Sequence, residues 1–392
     1  MNTRIIVASD ICPSMKDREL FIGGNVDELF GDSLHLFQSA DIAIANLETT
    51  LCENINPVKK IGFKFAANPH CLNAIKKANI KYLSLANNHI KDYGKEGIIS
   101  TLKACSEYGI ETVGLGKNIL EASKPMILNI NHKTIGILSA AENEDELASD
   151  YEPGANSLDC FRISKTIYND METCDVKIII LHGGREFFRY PSPRMKNISK
   201  NLIDSGASCI LWQHSHCTSG TEYYKDGFIS YGQGNFIFNY DIKYNNFFRG
   251  YLVQIDIDFY NKTSYKIIPY DQHCNSNGID LMKDENLIKF NTEIEELNSV
   301  ICDDAALIEK WNNYCIKVCD NYLSELFGYG KFFERLNIVL DNKELNKKLF
   351  CKYGASEKEI LKFISMIGSE THREIILNIL HIYLDSINIK EQ

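Results

Sequence analysis

The sequence predicts an α/β fold of layered β-sheets and flanking helices over residues 1–275, followed by a helical C-terminal region at residues 276–392. Between residue 3 and about residue 270, short runs rich in β-branched residues alternate with helical stretches, which is typical of α/β domains. From about residue 284 the apolar residues follow a helical period and strand signals are few. The length of 392 residues also fits two domains.

The predicted strands are short apolar runs, and the helices between them carry local start and stop signals. Asn68-Pro69 and Ser192-Pro193 each place a good N-cap residue before a proline in the first helical turn. Another helical pattern ends at Gly109, a typical residue at the C-terminus of a helix. The five strands that matter most for function are predicted at 4–9, 41–46, 82–87, 177–182 and 208–213, with further strands within 126–140 and 228–270.

The overall composition is that of an ordinary globular protein, with 44% hydrophobic and 24% charged residues. A formal net charge of -10 argues against a nucleic-acid-binding protein, which would usually carry a basic face. An acidic average still permits a local basic pocket, so the expected partner is an anionic small molecule or polymer. The helical C-terminal region is expected to contact a partner protein or a second copy of the chain.

The chain contains thirteen cysteines, but this number is odd and no CxxC pair occurs. The pattern favours buried thiols in a reducing compartment over a disulfide framework. The apolar run that follows Met1 is too short for a signal peptide, and no apolar run reaches the roughly 18 residues that predict a membrane span. A cytoplasmic location is therefore expected.

Polar residues that can do chemistry follow the ends of the five main strands. In open α/β folds ligands bind at the carboxyl ends of strands, because the loops there converge on one crevice. Two strand ends supply carboxylates, and the others supply amide and imidazole groups. The residues concerned are Asp10, Glu48, Asn88, His89, His182, Arg185, Glu186, His214 and His216.

Each of these signals has an ordinary structural explanation when it is taken alone. An aspartate after a strand is more often a helix cap, an Asn-Asn-His run is more often a turn, and a histidine on a buried strand is more often a core residue. The pattern of His214 and His216 is stronger, because a period of two places both imidazoles on the same side of an extended chain. Together, these oxygen and nitrogen donors match a centre for Mn, Zn or Fe with open coordination positions.

Five sequence blocks keep a specific order along the chain. They are Asn46-Leu47-Glu48, Ser84-Leu85-Ala86-Asn87-Asn88-His89 with Asp92-Tyr93-Gly94, His182-Gly183-Gly184-x-Glu186, His214-x-His216, and Tyr231-Gly232-x-Gly234-Asn235-Phe236. Taken together, these blocks resemble the bacterial capsule-synthesis CapA family, also called the polyglutamate-capsule PgsA-like family, a branch of the calcineurin-like metallophosphoesterases. The resemblance extends from residue 3 to about residue 260. It implies a β-sheet sandwich flanked by helices, as in metallophosphoesterases.

Carried over to this sequence, the resemblance implies two neighbouring sites for divalent metal ions. Two such ions about 4 Å apart can share a water, lower its pKa and hold an anionic centre for in-line attack. The resemblance assigns Asp10 and His216 to one site, Asn88, His182 and His214 to the other, and Glu48 to a catalytic bridge between them.

The resemblance implies that His89 acts on the substrate, and side-chain chemistry suggests further residues. His89 follows a ligand without being one, and it would be the general acid or stabilise the transition state. Arg185 lies in a motif-bearing loop, and its guanidinium suits a phosphate group. Glu186 belongs to the same motif and is predicted to be catalytic with it. Lys64, Arg189 and Arg194 are further candidates for phosphate binding, although surface charge explains Lys64 and Arg194 equally well.

Some positions depart from the wider phosphoesterase pattern. Cys12 stands where that pattern has a histidine, and Ser9 and Gln213 stand where it has glycines. Cys12 itself is expected to be a small buried residue. Because these departures surround the site of Asp10 and His216, the sequence leaves open whether one or two ions bind.

Three functions fit these observations. The first is a metal-dependent hydrolase, most simply a phosphoesterase in capsule or cell-envelope polymer biosynthesis. The second is an amide-bond hydrolase or transferase that acts on a polyglutamate-like polymer. The third is a non-catalytic capsule-assembly factor that retains the fold. The complete ligand set favours catalysis, and His89 favours it further, because a metal-stabilised scaffold does not need a general acid.

Overall fold

The computed structural model describes residues 2–240, 244, 246–272, 278–327 and 357–390. Its internal contacts divide the chain into two compact units. The first unit comprises Met1–Val58 and Lys64–Leu307, and the second comprises Lys59–Phe63 and Ile308–Gln392.

Strands and helices alternate through the first unit, as the sequence pattern predicted. In chain order the strands are β1 (Thr3–Cys12), β2 (Ile42–Leu47), β3 (Thr50–Leu51), β4 (Ala66–Ala67), β5 (Tyr82–Ser84), β6 (Glu111–Val113), β7 (Leu115–Gly116), β8 (Met126–Ile130), β9 (Lys133–Ala141), β10 (Gly154–Ala155), β11 (Val176–His182), β12 (Cys209–Gln213), β13 (Thr221–Tyr224), β14 (Gly227–Ser230), β15 (Asn235–Phe238), β16 (Arg249–Ile257), β17 (Thr263–Gln272) and β18 (Ile279–Leu281). The helices are α1 (Arg18–Gly23), α2 (Val26–Phe30), α3 (Leu34–Ser39), α4 (Leu72–Lys77), α5 (Gly94–Tyr108), α6 (Ile119–Ala122), α7 (Cys160–Asn169), α8 (Pro193–Asp204), α9 (Asp284–Cys302), α10 (Asp304–Phe327), α11 (Glu357–Gly368) and α12 (Glu370–Lys390).

Two larger β-sheets form the centre of the first unit. The first sheet has the strand order β18-β17-β16-β1-β2-β5-β6, and β15 pairs with the end of β1. Strands β1, β2, β5 and β6 are parallel, and β16, β17 and β18 extend the sheet in antiparallel pairs. The second sheet has the order β13-β14-β12-β11-β9-β8, with parallel pairing from β9 through β14. The carboxyl ends of the parallel strands in each sheet therefore lie at one edge.

The two sheets pack face to face, and helices cover their outer faces. Along β1, Ile5 and Val7 point into a core that the second sheet shares through Ile180. The intervening Ile6 points the other way and packs with Phe30 of α2. This alternation follows from the two-residue period of a strand. Helices α7 and α8 cover the outer face of the second sheet. The predicted layered sandwich with flanking helices is confirmed.

Two predicted helix starts and one predicted helix end are confirmed. The Asn68 side chain accepts a hydrogen bond of 2.7 Å from the backbone N–H of His70, at a 3-10 turn before α4. The Ser192 hydroxyl accepts one of 3.3 Å from the backbone N–H of Met195 and caps α8. Helix α5 ends at Gly109, whose φ of 68° lets its N–H reach carbonyl groups of the last turn. Each cap therefore pairs a backbone group that the helix leaves unsatisfied.

The chain after residue 275 contributes to both units. Strand β18 still pairs with β17 in the first sheet, and α9 packs Phe290, Ile294 and Leu297 into the core between the sheets. Helices α11 and α12, with most of α10, form the second unit. The division of the chain into domains 1–275 and 276–392 stays a prediction. None of the described helices is long and apolar enough to cross a membrane.

Candidate metal centre

The predicted metal ligands come from both sheets and meet at one place. Each of them has an exposed fraction of 7% or less, so their polar atoms are removed from solvent. They lie at or near the carboxyl ends of neighbouring parallel strands. In chain order they are Asp10 in β1, Glu48 after β2, Asn88 after β5, His182 at the end of β11, and His214 and His216 after β12.

Asp10 lies within β1 and not at its end, because the strand continues to Cys12. The register of β1 against β15 shifts directly after Asp10, so the strand is locally irregular there. One Asp10 oxygen accepts a hydrogen bond of 2.8 Å from the Asn46 amide, and the other accepts one of 3.3 Å from the backbone N–H of His214. Burial raises the pKa of Asp10, and the nearby charge of His216 opposes this increase.

His214 and His216 converge for a different reason from the one predicted. Strand β12 ends at Gln213, and the two histidines have φ angles of 88° and 51°, so the chain between them is not extended. These left-handed residues bring the two ring centroids within 5.8 Å. The Oδ1 atom of Asn235 fixes the ring of His216 by accepting a 2.8 Å hydrogen bond from Nδ1–H. Non-glycine residues in this conformation cost about 1–3 kcal/mol each and cluster at functional sites.

Two sets of side chains have the spacing of metal ligands. In one set, the ligand atoms of Glu48, His182 and His214 lie within 4.8 Å of one another. In the other, those of Asp10, Glu48 and His216 do so. Glu48 belongs to both sets, which is the place that a bridging ligand would take.

His182 has the closest neighbours in the cluster. Its Nε2 atom lies 3.0 Å from Asn88 Oδ1, 3.1 Å from His214 Nδ1 and 3.6 Å from Glu48 Oε1. Ligand atoms bound to one ion at about 2.1 Å lie roughly 3.0–3.4 Å apart, so this spacing fits a shared ion. Burial, with help from the neighbouring histidines, lowers the pKa of His182 well below its usual range. The neutral imidazole that results is the form that binds metals.

Glu48 provides a second test of whether these residues fit a cation. Its side chain is fully buried, yet neither carboxylate oxygen accepts a hydrogen bond from any residue that the structure describes. Burial raises the pKa of Glu48 well above its usual range, and the carboxylates of Asp10, Glu186 and Glu144 raise it further. A buried charge without a partner costs several kcal/mol, and a bound cation would offset this cost. The donor set therefore fits divalent ions.

His89 lies beside the two sets but belongs to neither. Its Nδ1 atom forms a 2.7 Å hydrogen bond with Asp92, and its Nε2 atom is 3.9 Å from Glu48 Oε1. The ring also packs against Phe65, with 4.2 Å between ring centroids. Because Nδ1–H donates its hydrogen bond to the Asp92 carboxylate, the Nε2 atom is the one directed toward the centre. The role of His89 as a general acid stays a prediction.

Arg185 and Glu186 lie in the loop that follows β11, and both are partly buried. Burial alone would raise the pKa of Glu186, but the nearby histidines and Arg185 hold it below its usual range. The carboxylate therefore stays ionised beside the centre. The backbone N–H of Phe187 donates a 2.8 Å hydrogen bond to the carbonyl of Ser215, which ties this loop to the histidine-bearing turn.

The other two arginines that were candidates for phosphate binding are engaged by the protein itself. Arg189 pairs with Glu293 of α9, and its Nε atom donates a 2.9 Å hydrogen bond to the carbonyl of Thr218. Arg194 pairs with Glu142. These contacts indicate that both guanidinium groups hold loops together around the centre.

The acidic loop after β9 is the part of the centre that sequence reasoning missed. Glu142 accepts a 3.1 Å hydrogen bond from the backbone N–H of Gly184. Glu144 accepts one of 3.0 Å from the Asn88 amide and lies 3.9 Å from His214 Nε2. The signal was available, because this run of acidic residues directly follows a predicted strand. The rule that found the other candidates would have found Glu142 and Glu144 as well.

A cavity of about 290 Å³ lies apart from the predicted site, because none of the candidate ligands or catalytic residues lines it. Arg18 and Tyr240 line it. The Tyr240 ring packs against Phe65 at 4.8 Å, and its hydroxyl lies 3.8 Å from the sulfur of Cys12. Burial raises the pKa of Cys12 well above its usual range, so this thiol is neutral, as expected for a small buried residue.

Known proteins share this sequence pattern over part of their length. The chain is 28% identical over 242 residues to "Capsule biosynthesis protein CapA" of Bacillus anthracis, which covers 59% of each chain. It is 26% identical over 252 residues to "PGA biosynthesis protein CapA" of Bacillus subtilis, which covers 63% of this chain and 66% of that relative. The chain thus spans about three-fifths of the length of these curated relatives.

Solved structures are more distant. The 5'-nucleotidase precursor from Thermus thermophilus is 11% identical, with a TM-score of 0.40 over 76% of this chain and 60% of that one. The family model described as "Bacterial capsule synthesis protein PGA_cap" matches residues 5–240, which is more than half of the chain and includes the whole candidate centre. The protein therefore belongs to the bacterial capsule synthesis protein family PGA_cap, as the blocks around Asn88, His182 and His214 predicted.

Proposed function

We propose that the protein is a metal-dependent hydrolase, most simply a phosphoesterase that acts in capsule or cell-envelope polymer biosynthesis. The observation that carries this proposal is Glu48, a fully buried carboxylate that lies in both sets of ligand-spaced side chains and accepts no hydrogen bond from the described residues. Such a group is stable as a metal ligand and costly otherwise. The names of the curated relatives support the capsule process.

The donor set suits Mn, Zn or Fe, which bind imidazole, carboxylate and amide oxygen. Divalent ions at these residues would act as Lewis acids and supply a nucleophilic water near neutral pH. Asn88, His182 and His214 would hold one ion, Asp10 and His216 would hold a second, and Glu48 would bind both.

The remaining residues then act on the substrate. In its imidazolium form, His89 would donate the Nε2 proton to the leaving oxygen and become the neutral Nδ1–H imidazole, while Asp92 accepts the Nδ1–H hydrogen bond and stabilises the protonated ring. Arg185 lies in the adjacent loop and binds the anionic group that is attacked. Glu186, whose pKa is held below its usual range, would balance part of the positive charge of bound ions on that side.

The main alternative is an amide-bond hydrolase or transferase that acts on a polyglutamate-like polymer. The relative named "PGA biosynthesis protein CapA" favours it, since the same centre would polarise an amide carbonyl. A non-catalytic assembly factor is the third candidate. The His89–Asp92 pair supports an enzyme over that factor, because a scaffold has no use for an oriented proton donor.

The direct test compares metal content and hydrolysis in the wild type, in His182→Ala and in an exposed control, His35→Ala. Substrates are a phosphomonoester, a phosphodiester and a γ-linked glutamate peptide, each with Mn²⁺, Zn²⁺ or Fe²⁺. We expect the wild type and the control to bind one or two ions and to hydrolyse a phosphate ester. His182→Ala should lose metal and activity together, because it removes a ligand.

Cleavage of the peptide alone would replace the phosphoesterase with the amide-bond hydrolase. Full metal occupancy without turnover of any substrate would support the assembly factor. A wild type that binds no ion after incubation with each metal would overturn the proposed centre.

We also propose that this domain works in the cytoplasm. The buried cysteines Cys12, Cys209 and Cys217 are thiols, and burial raises the pKa of each of them. Neutral buried thiols suit a reducing compartment.

A further inference from the structure

We propose that Glu144 is a positioning residue that orients Asn88 and His214 toward the same metal ion. This inference rests on the proposed metal centre and adds a residue to it. Glu144 lies in the loop after β9, outside every block that carries the family resemblance. It is not itself part of either set of ligand-spaced side chains.

Glu144 faces one end of the side chains of Asn88 and His214, and the opposite end of each side chain faces the centre. Its Oε2 atom accepts the 3.0 Å hydrogen bond from Asn88 Nδ2, so the other end of that amide, Oδ1, faces His182 Nε2 at 3.0 Å. Its Oε1 atom lies 3.9 Å from His214 Nε2, while Nδ1 of the same ring lies 3.1 Å from His182 Nε2. Asn88 and His214 therefore each present one atom to the centre and the opposite atom to Glu144.

The loop holds the backbone of Glu144 firmly. Its N–H donates a 2.8 Å hydrogen bond to the carboxylate of Glu146, whose side chain is fully buried. The carbonyl of Glu146 in turn accepts a 2.9 Å hydrogen bond from the N–H of Ala155 in β10. Gly154 packs so closely that a Cβ atom there would lie 2.4 Å from the same carbonyl. These contacts fix the position of the Glu144 backbone, and the hydrogen bond from Asn88 then fixes its carboxylate, as an orienting group requires.

A contribution to the stability of the metal-free fold does not explain the negative charge of Glu144. Its carboxylate lies 3.9 Å from His214 Nε2, beside a centre that already holds the buried acids Asp10 and Glu48, and like charges repel each other. Carboxylates that accept hydrogen bonds from metal ligands fix the orientation of those ligands and increase their basicity. The repulsion is then compensated only when a cation is present. Glu144 should therefore matter for metal affinity more than for the metal-free fold.

The test measures the affinity and stoichiometry of Mn²⁺ by titration calorimetry for the wild type, Glu144→Ala and Glu144→Gln. Glu152→Ala is the matched control, because Glu152 is an exposed glutamate eight residues along the same loop. We expect Glu144→Ala to weaken the binding of one ion by about 10–100-fold. Glu144→Gln should recover part of this loss, since it keeps an acceptor for the Asn88 amide. The control should bind like the wild type, and the Tm of each metal-free variant should stay within about 2 °C of it.

Unchanged Mn²⁺ affinity in Glu144→Ala would overturn the inference while leaving the metal centre intact. A loss of affinity that is matched by a large fall in the metal-free Tm would also overturn it, because Glu144 would then be a structural residue. If the wild type itself bound no Mn²⁺, the metal centre would fail and the role of Glu144 with it.

Discussion

His89 and Asn88 are neighbours on one turn, yet their side chains face different groups. Asn88 reaches His182 and Glu144, whereas His89 turns to Asp92 and points its Nε2 atom at the space beside Glu48. Adjacent residues can do this because the turn after β5 has no regular secondary structure. The directions of successive side chains therefore do not follow the period of a helix or a strand. The arrangement separates a ligand from a proton donor within two positions.

Replacement of His89 tests this separation. We expect His89→Ala to keep nearly all of its metal and to lose about two to four orders of magnitude in turnover, the usual contribution of a positioned acid. Asp92→Asn should also keep its metal and lose part of the activity, because a neutral amide orients the ring of His89 but stabilises its protonated form less than a carboxylate does. Elemental analysis of the purified variants, alongside phosphate-ester turnover, measures both quantities. Metal loss as large as in His182→Ala would mean that His89 is a ligand.

The strand elements and their carboxyl ends could be predicted from the sequence, because a short apolar run identifies a buried strand wherever it pairs. The backbone of His214 and His216 could not. Their left-handed conformation depends on contacts with Asp10 and Asn235, which lie far away in the sequence. Periodicity describes only regular backbone, so it predicted an extended pair and was wrong about the cause of their convergence.

Strand β15 shows how one element holds another in place. Gly234 precedes it with a φ of 74°, and an added Cβ would lie 2.3 Å from the backbone oxygen of Arg249. The next residue, Asn235, fixes the His216 ring. Gly234→Ala should therefore lower the free energy of unfolding by about 3 kcal/mol. It should also weaken metal binding, because His216 would hold one of the proposed ions.

Gly109→Ala is the control for Gly234→Ala. Gly109 has a similar φ of 68°, but a Cβ there would meet nothing within 4 Å. Only the conformational cost of about 1–2 kcal/mol is expected. Urea unfolding with and without Mn²⁺ measures both effects. Equal losses in the two variants would show that the close approach to Arg249 does not matter.

At the scale of the whole molecule, the centre lies where the edges of two sheets meet. Asp10 and Glu48 lie in or directly after strands of the first sheet. The three histidines lie in or shortly after strands of the second. The sequence could predict that these residues follow strands, but not that the strands divide into two sheets. Strand pairing such as that of Thr3 with Ile257 joins distant parts of the chain, and local sequence patterns do not predict it.

The dependence of stability on pH should reveal the buried acids. Asp10 and Glu48 have raised pKa values in the folded protein, so the stability they contribute at low pH is lost as pH rises through those values. The pKa of His182 is lowered in the folded protein. Keeping its imidazole neutral therefore costs stability only below about pH 6.5, where the same histidine in the unfolded chain is protonated. Above about pH 6.5 only these carboxylates can act, so the Tm of the metal-free protein should not rise with pH, and it should fall as far as their raised pKa values extend into this range.

Saturating Mn²⁺ should reverse this trend, because the ion displaces protons from its ligands and binds more tightly at higher pH. Thermal scans between about pH 6.5 and 8, with EDTA or with Mn²⁺, compare the two cases directly. A metal-free Tm that rises across this range would show that neither carboxylate is held protonated by burial.

The wide separation of the ligands along the chain has a kinetic consequence. Asp10 lies in the first sheet and His216 follows a strand of the second, so no local segment of the unfolded chain holds a complete set of the proposed ligands. Long-range pairing of strands then sets the rate of folding, with or without metal. An interaction that appears only after the transition state slows unfolding and leaves the folding rate unchanged. A bound ion would thus slow unfolding and lengthen the lifetime of the native state, although the domain would have to fold before the ion could bind.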